Sequence, residues 1–207
     1  ARAMLEPGDE VLVPEPGFTY YGMSARFHHG EVAQYHLSKD DDFALTSETV
    51  LSEYDGERIV YLTSPHNPTG KRFGLDAIET IADETGDDTL VVVDEAYGEF
   101  HDGPSAVELL ETRDDVAVLR TFSKVYGLAG VRLGYGIVPE SWADAYARVN
   151  TPFAASEIAC RAGLAALDDD DHAEETVETA AWAREYVDEH LDAPTWESHA
   201  NFVLAAV

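Results

Sequence analysis

Leu90-Val91-Val92-Val93-Asp94-Glu95-Ala96-Tyr97 is a branched aliphatic run that ends abruptly on two acids and a phenol. A strand made of such a run has no polar face. It must be covered on both sides, which is the condition of a strand inside a parallel sheet. The run is read as part of a strand over Thr89–Asp94, and comparable strands are expected at Glu10–Val13, Glu31–Leu37, Arg58–Thr63, Val116–Thr121 and Leu133–Val138. Helical patterns separate or follow them at Tyr20–His28, Ser47–Tyr54, Leu75–Thr85, Ala106–Glu111, Glu140–Val149, Ser156–Leu167 and Ala173–Leu191. This alternation predicts an α/β fold: a three-layer, mainly parallel sheet flanked by helices. Asp192-Ala193-Pro194 breaks the last helix. The organisation expected is a large domain over residues 1–190, with 191–207 beginning a small C-terminal α+β domain.

Composition narrows the class. Among 207 residues, 41 are Asp or Glu and 13 are Lys or Arg, a formal net charge of −28. Such a surface repels nucleic acid and anionic membranes, and neither is expected as a partner. Abundant acids with scarce lysine read as the surface of a halophilic, cytoplasmic protein. At 45% hydrophobic and 10% aromatic residues the chain is globular. The single cysteine, Cys160, excludes an intrachain disulfide and is expected as a packed thiol on an apolar helix. No run of about 18 apolar residues is present, and no signal peptide is visible. The acid run Asp168 to Asp171 reads as a solvated helix start. The histidines His28, His29, His36, His101, His172, His190 and His199 have no metal-ligand spacing, so no metal is expected. No P-loop, His-Glu-x-x-His or nucleophile elbow occurs.

Four clusters fall at strand ends, where ligands bind in open α/β sheets. Ser64-Pro65-His66-Asn67-Pro68-Thr69-Gly70 is a rigid turn that presents Asn67, or a turn that needs Asn and Gly for its backbone alone. Asp94 with Tyr97 offers a carboxylate for a cationic partner, or a helix cap beside a core tyrosine. Pro16-Gly17-Phe18-Thr19-Tyr20-Tyr21 places aromatic rings where one can stack on a flat ligand. Thr121-Phe122-Ser123-Lys124 ends the strand from Val116 and is followed by glycines and Arg132. A lysine there is costly without a chemical role. Beside two hydroxyls and a guanidinium, which suit a phosphate dianion, it fits a Schiff-base lysine and hence pyridoxal 5'-phosphate (PLP).

In this order and spacing the clusters resemble the fold-type I PLP-dependent aminotransferases, over nearly the whole chain. Asn67 to Asp94 is 27 positions, Asp94 to Lys124 is 30, and Lys124 to Arg132 is 8. Asp94-Glu95-Ala96-Tyr97-Gly98-Glu99-Phe100, Leu119 to Lys124, Tyr126 to Tyr135 and Val149-Asn150-Thr151-Pro152-Phe153 look most like the histidinol-phosphate aminotransferase branch. The resemblance implies roles. Lys124 binds the cofactor aldehyde and then moves the proton. Asp94 pairs with the pyridine nitrogen. Asn67 and Tyr97 hold the ring 3-oxygen, and Thr121, Ser123 and Arg132 hold the phosphate. Phe18 stacks on the ring, and Asn67–Pro68 is a candidate cis bond. It also implies a small-molecule amino donor, a 2-oxo acid and a homodimer.

The family's upstream glycine loop, its partner-reaching tyrosine and its C-terminal substrate arginine are not in these residues. The first residue is not Met, and both ends are expected to continue into further chain. Alternative readings are an aromatic or broad-specificity aminotransferase, a phosphothreonine decarboxylase-like enzyme, a PLP-sensing regulatory domain, or an inactive fragment. His66 departs from the family's usual loop and is assigned no role.

Overall fold

The computed structural model describes residues 2–149, 151 and 154–206. Asn150, Pro152 and Phe153 of the stretch that contributed to the resemblance lie outside them. Six strands form the main sheet: β1 (Glu10–Glu15), β2 (Glu31–His36), β3 (Ile59–Thr63), β4 (Leu90–Asp94), β5 (Val116–Thr121) and β6 (Gly134–Ile137). Their spatial order is β2-β1-β3-β4-β5-β6. Every neighbour pair is parallel except β5 with β6. Crossovers run through α1 (Tyr20–Phe27), α2 (Ser47–Leu51) and α3 (Leu75–Glu84), with 3-10 turns at Lys39–Asp41, Gly98–Phe100 and Ala106–Glu111; the β4–β5 crossover is built from the last two. Downstream lie α4 (Ala143–Val149), α5 (Glu157–Leu167) and α6 (Asp170–His190).

The quoted aliphatic run behaves as a doubly covered strand. Val91 and Val93 sit in one apolar core with Leu12, Leu62, Ile78 and Ile81. Leu90 and Val92 face the other, with Val11, Tyr21, Tyr61 and Ala117. Alternate residues of a strand point to opposite faces, so an all-apolar run fills two cores at once. Each fully buried branched side chain is worth roughly 1.5–3 kcal/mol of transfer free energy. Helix α3 meets the first core through Ile78, Ile81 and Ala82, with Asp76 in its first turn.

Element ends differ from expectation where caps decide them. Helix α6 starts at Asp170, not Ala173, because Asp169 caps it by accepting from the His172 amide at 3.2 Å. Asp170 and Asp171 complement the positive end of that helix. The Glu140–Val149 pattern splits into a 3-10 turn (Glu140–Trp142) and α4. Cys160 is a correction: it is exposed, not packed. The buried face of α5 is Ala159 and Gly163, four apart, and Cys160 lies one step of about 100° round the helix.

A short antiparallel pair, β7 (Thr195–Trp196) with β8 (Leu204–Ala205), follows α6. Its loop folds back on the sheet domain. The His199 amide donates to the Gly70 carbonyl at 2.8 Å, and Trp196 meets Phe43 edge-on at 5.4 Å. Among the described residues no helix is long and apolar enough to cross a membrane.

Candidate active site

Four neighbouring strands carry the sequence-predicted residues on their carboxyl ends. The sheet's hydrogen bonding continues one step past them. The Ser64 amide donates to the Asp94 carbonyl at 3.0 Å, the Glu95 amide to Leu119 at 2.9 Å, and the Phe122 amide to Leu133 at 3.1 Å. The first residues of each loop therefore inherit the sheet's spacing.

Asn67 stands on the turn after β3, in a loop whose Ser64–Pro65 and Asn67–Pro68 bonds are both cis. The His66 and Gly70 backbones close it, with His66 donating to the Lys71 carbonyl and Gly70 to His66, each at 2.7 Å. Gly70 has φ +75°, and a Cβ there would collide with Ser198. The Asn67 amide donates to the Tyr97 hydroxyl at 3.3 Å. Tyr97 is buried, packs edge-on against Phe202 at 5.1 Å, and carries the Lys124 ammonium 4.8 Å from its ring centre. Asn67, Tyr97 and Lys124 thus converge.

Asp94, at the end of β4, accepts from the Ala96 amide through Oδ1 at 3.0 Å and from the Tyr21 hydroxyl through Oδ2 at 2.7 Å. Burial pushes its carboxyl up from the usual range. The Tyr21 and Ala96 hydrogen bonds and the Lys124 charge oppose that shift. A carboxylate has about four acceptor positions, and two are taken here. It retains capacity for one more cationic N–H, the partner its burial calls for.

Phe18 follows Gly17, where a Cβ would strike the Pro14 carbonyl, and Glu15–Pro16 is cis. Its ring is 49% exposed and meets Tyr21 edge-on at 5.4 Å. One face is therefore free to cover a flat ligand. The expected phosphate group is less gathered. Thr121 Oγ1 accepts from the Ser123 amide at 3.0 Å and donates to the Leu133 carbonyl at 3.4 Å. Arg132 is exposed, adopts φ +57°, and turns its guanidinium onto the Ala129 carbonyl at 2.7 Å. Among the described residues it makes no direct bond to Thr121, Ser123 or Lys124.

Behind the site, Glu95 is only 5% exposed. Its carboxylate accepts from Arg120 Nε at 3.1 Å and Nη2 at 2.7 Å, from the Ser105 hydroxyl at 2.8 Å and from the Ala106 amide at 2.7 Å. The apolar hollow lined by Tyr61, Val92, Leu119, Val138 and Trp142 contains none of the expected site residues.

Two residues named in the sequence without a role stand out in the structure. Tyr21 was one aromatic among several after β1, and only its buried place against Asp94 distinguishes it. His66 is fully buried, with Nδ1 at 2.9 Å from the Thr69 hydroxyl and no partner for Nε2. A histidine flanked by prolines in a strand-end loop was the available signal.

The residues fit PLP on these observations. The buried Asp94 carboxylate holds one donor on each oxygen and has acceptor capacity for another, a lysine amine lies over Tyr97, the half-exposed Phe18 ring packs on the tyrosine that binds Asp94, and Ser123 and Arg132 offer donors one loop away.

The whole chain, residues 1–207, matches the family described as aminotransferase class I and II. It is 72% identical to a histidinol-phosphate aminotransferase of Haloarcula marismortui, over 100% of this chain and 58% of that protein. It is 70% identical to one of Natronomonas pharaonis, with the same coverages of 100% and 58%. The fold matches histidinol-phosphate aminotransferase from Sinorhizobium meliloti in complex with pyridoxal-5'-phosphate at a TM-score of 0.87 and 30% identity, covering 98% of this chain and 56% of that one. It matches aspartate aminotransferase from Thermus thermophilus with maleate at 0.83 and 25% identity, covering 99% and 57%. The chain spans 58% of the length of the two haloarchaeal relatives.

Proposed function

The chain belongs to the class I and II aminotransferases, and we propose that it is the sheet-bearing part of a PLP-dependent histidinol-phosphate aminotransferase. The reaction proposed moves an amino group between histidinol phosphate and 2-oxoglutarate, in histidine biosynthesis. The observation that carries the reading is the convergence of Asn67 and Lys124 on Tyr97, beside Asp94, at the carboxyl ends of adjacent strands. The names of relatives up to 72% identical support the substrate pair.

Bound PLP would supply an electron sink for the pair left when a substrate carbon loses its proton. The chain's residues do the rest. Lys124 would hold the cofactor covalently, and its Nζ, once free, would take and return the proton. Asp94 would accept the ring N–H and keep that nitrogen charged. Asn67 and Tyr97 would donate to the ring oxygen, and Phe18 would cover one face and exclude water from it. Thr121, Ser123 and Arg132 would hold the phosphate, with Arg132 swinging off Ala129 to reach it. A homodimer in the cytoplasm, and a domain boundary near residue 190, complete the proposal.

The test is borohydride reduction of the protein with PLP in molar salt, followed by peptide mapping of its three lysines. Label on Lys124 alone is expected, and it should vanish in Lys124→Ala. Equal label on Lys39 or Lys71, or none on folded protein, overturns the cofactor reading. Faster amino transfer from phenylalanine than from histidinol phosphate would move the substrate reading to a broad-specificity enzyme.

A further inference from the structure

The Tyr21 side chain is 5% exposed and almost wholly accounted for by specific contacts. Its ring stacks on Tyr61 at 4.6 Å and 10°. The edge contact with Phe18 ties it to the ring expected over the cofactor. Its hydroxyl donates to Asp94 Oδ2 at 2.7 Å and lies 3.0 Å from Thr63 Oγ1, whose register partner is Asp94 itself. With the phenol proton given to Asp94, the Thr63 hydroxyl is left to donate to Tyr21. The chain Thr63–Tyr21–Asp94 then polarises in one direction.

We propose that Tyr21 is a positioning residue that acts through Asp94. It occupies one carboxylate oxygen, fixes the carboxylate plane, and leaves the remaining lone pairs for the cofactor's ring N–H. It also stabilises the ionised form, so Asp94 stays charged, and able to bind a cation, further into acid. This rests on the PLP reading above.

The groups whose charge bears on Asp94 come from every side. They are Tyr21 from α1, Tyr61 from β3, Glu95 from its own strand end and Lys124 from the loop after β5. Burial and the charge of Asp94 drive the Tyr21 phenol well above its ordinary range, so it stays a donor throughout neutral pH. Lys124 favours the Asp94 carboxylate and Glu95 disfavours it. Neither contribution depends on the Tyr21 hydroxyl, so removing that hydroxyl has a definite sign. Asp94 gains proton affinity, and its ability to hold a cationic N–H fails at higher pH.

The experiment titrates PLP into the protein and into Tyr21→Phe, Asp94→Asn and the double variant, at constant molar salt and a series of pH values. Cofactor affinity is read by absorbance and fluorescence. Wild type is expected to lose affinity along an acid limb. In Tyr21→Phe the midpoint of that limb should rise by about one pH unit, and affinity near that midpoint should fall about tenfold, the scale of one hydrogen bond to a charged group. The double variant should bind as Asp94→Asn does, because Tyr21 has nothing left to act through.

An unmoved acid limb, or a Tyr21→Phe loss that adds in full to that of Asp94→Asn, reduces Tyr21 to packing and overturns the proposal. No PLP binding by folded wild type overturns the cofactor reading and this inference with it. If Tyr21→Phe does not fold, Thr63→Val weakens the same donor without touching Asp94. It should move the limb in the same direction by less, and a limb that stays in place again overturns the proposal.

Discussion

Acidification below neutral pH should destabilise this protein through His66, and the size of the effect follows from the structure. The ring is fully buried, its Nδ1 is engaged by Thr69, and its Nε2 has no hydrogen-bond partner. Burial lowers its pKa from 6.5 to about 4, and the neighbouring Pro16 carbonyl only partly opposes that. The folded protein therefore holds His66 neutral in a range where the unfolded chain binds a proton. Stability from this group is fully present above pH 6.5 and is lost as pH falls towards 4. Between pH 8 and pH 5 the unfolded form gains roughly RT ln 30, so the loss is about 2 kcal/mol.

His101 and His199, also shifted down, add loss of the same sign. Asp94 and Glu99, shifted up, act oppositely. These contributions cancel in a difference curve between wild type and His66→Asn. Denaturant unfolding of both proteins at fixed molar salt, followed by circular dichroism from pH 8 to pH 5, checks the reasoning. The gap between them should shrink by about 2 kcal/mol on acidification. A gap that is constant with pH, whatever its size, refutes the account of His66 as a buried neutral ring.

Other consequences can be measured in parallel. Arg120→Met should destabilise by about 3–5 kcal/mol in chemical unfolding, because it leaves the Glu95 carboxylate buried with only Ser105 and Ala106 as donors. An undiminished unfolding midpoint would show that Glu95 does not depend on its guanidinium. Gly70→Ala should cost roughly 1–3 kcal/mol, since φ is +75° and Ser198 occupies the space a Cβ needs. Amide exchange at His199, which bonds Gly70, should accelerate in the same variant. Asp94→Asn should slow amino transfer far more than it alters thermal unfolding, and equal activity would remove Asp94 from the chemistry.

Much of this arrangement was legible beforehand because its signals are local. The Leu90–Val93 run could only be a doubly covered strand, and Lys124 at the end of an apolar strand needed a chemical reason. What was illegible depends on through-space geometry. Tyr21 was one of several aromatics after β1 until the sheet brought Thr63 and Asp94 against its hydroxyl, from 42 and 73 residues away. Cys160 was misjudged because composition sees an apolar helix but not which of its faces is covered. The acid run was read as a helix start, and the boundary of α6 moved from Ala173 to Asp170 because Asp169 is the cap and the acids after it already lie in the first turn.

The sheet bonds that continue past β3, β4 and β5 carry a broader consequence. They act as a jig: Ser64, Glu95 and Phe122, from which the loops carrying Asn67, Tyr97 and Lys124 depart, stay bonded to their neighbouring strands, about 4.8 Å apart, so each loop leaves the sheet from a fixed point. Loop tips beyond the jig can then diverge, be lengthened or be exchanged without detuning the reacting groups. Natural variation in substrate preference should accordingly gather in segments that the ladder does not grip. An engineer altering specificity has reason to leave Ser64, Glu95 and Phe122 alone and to work outward from them.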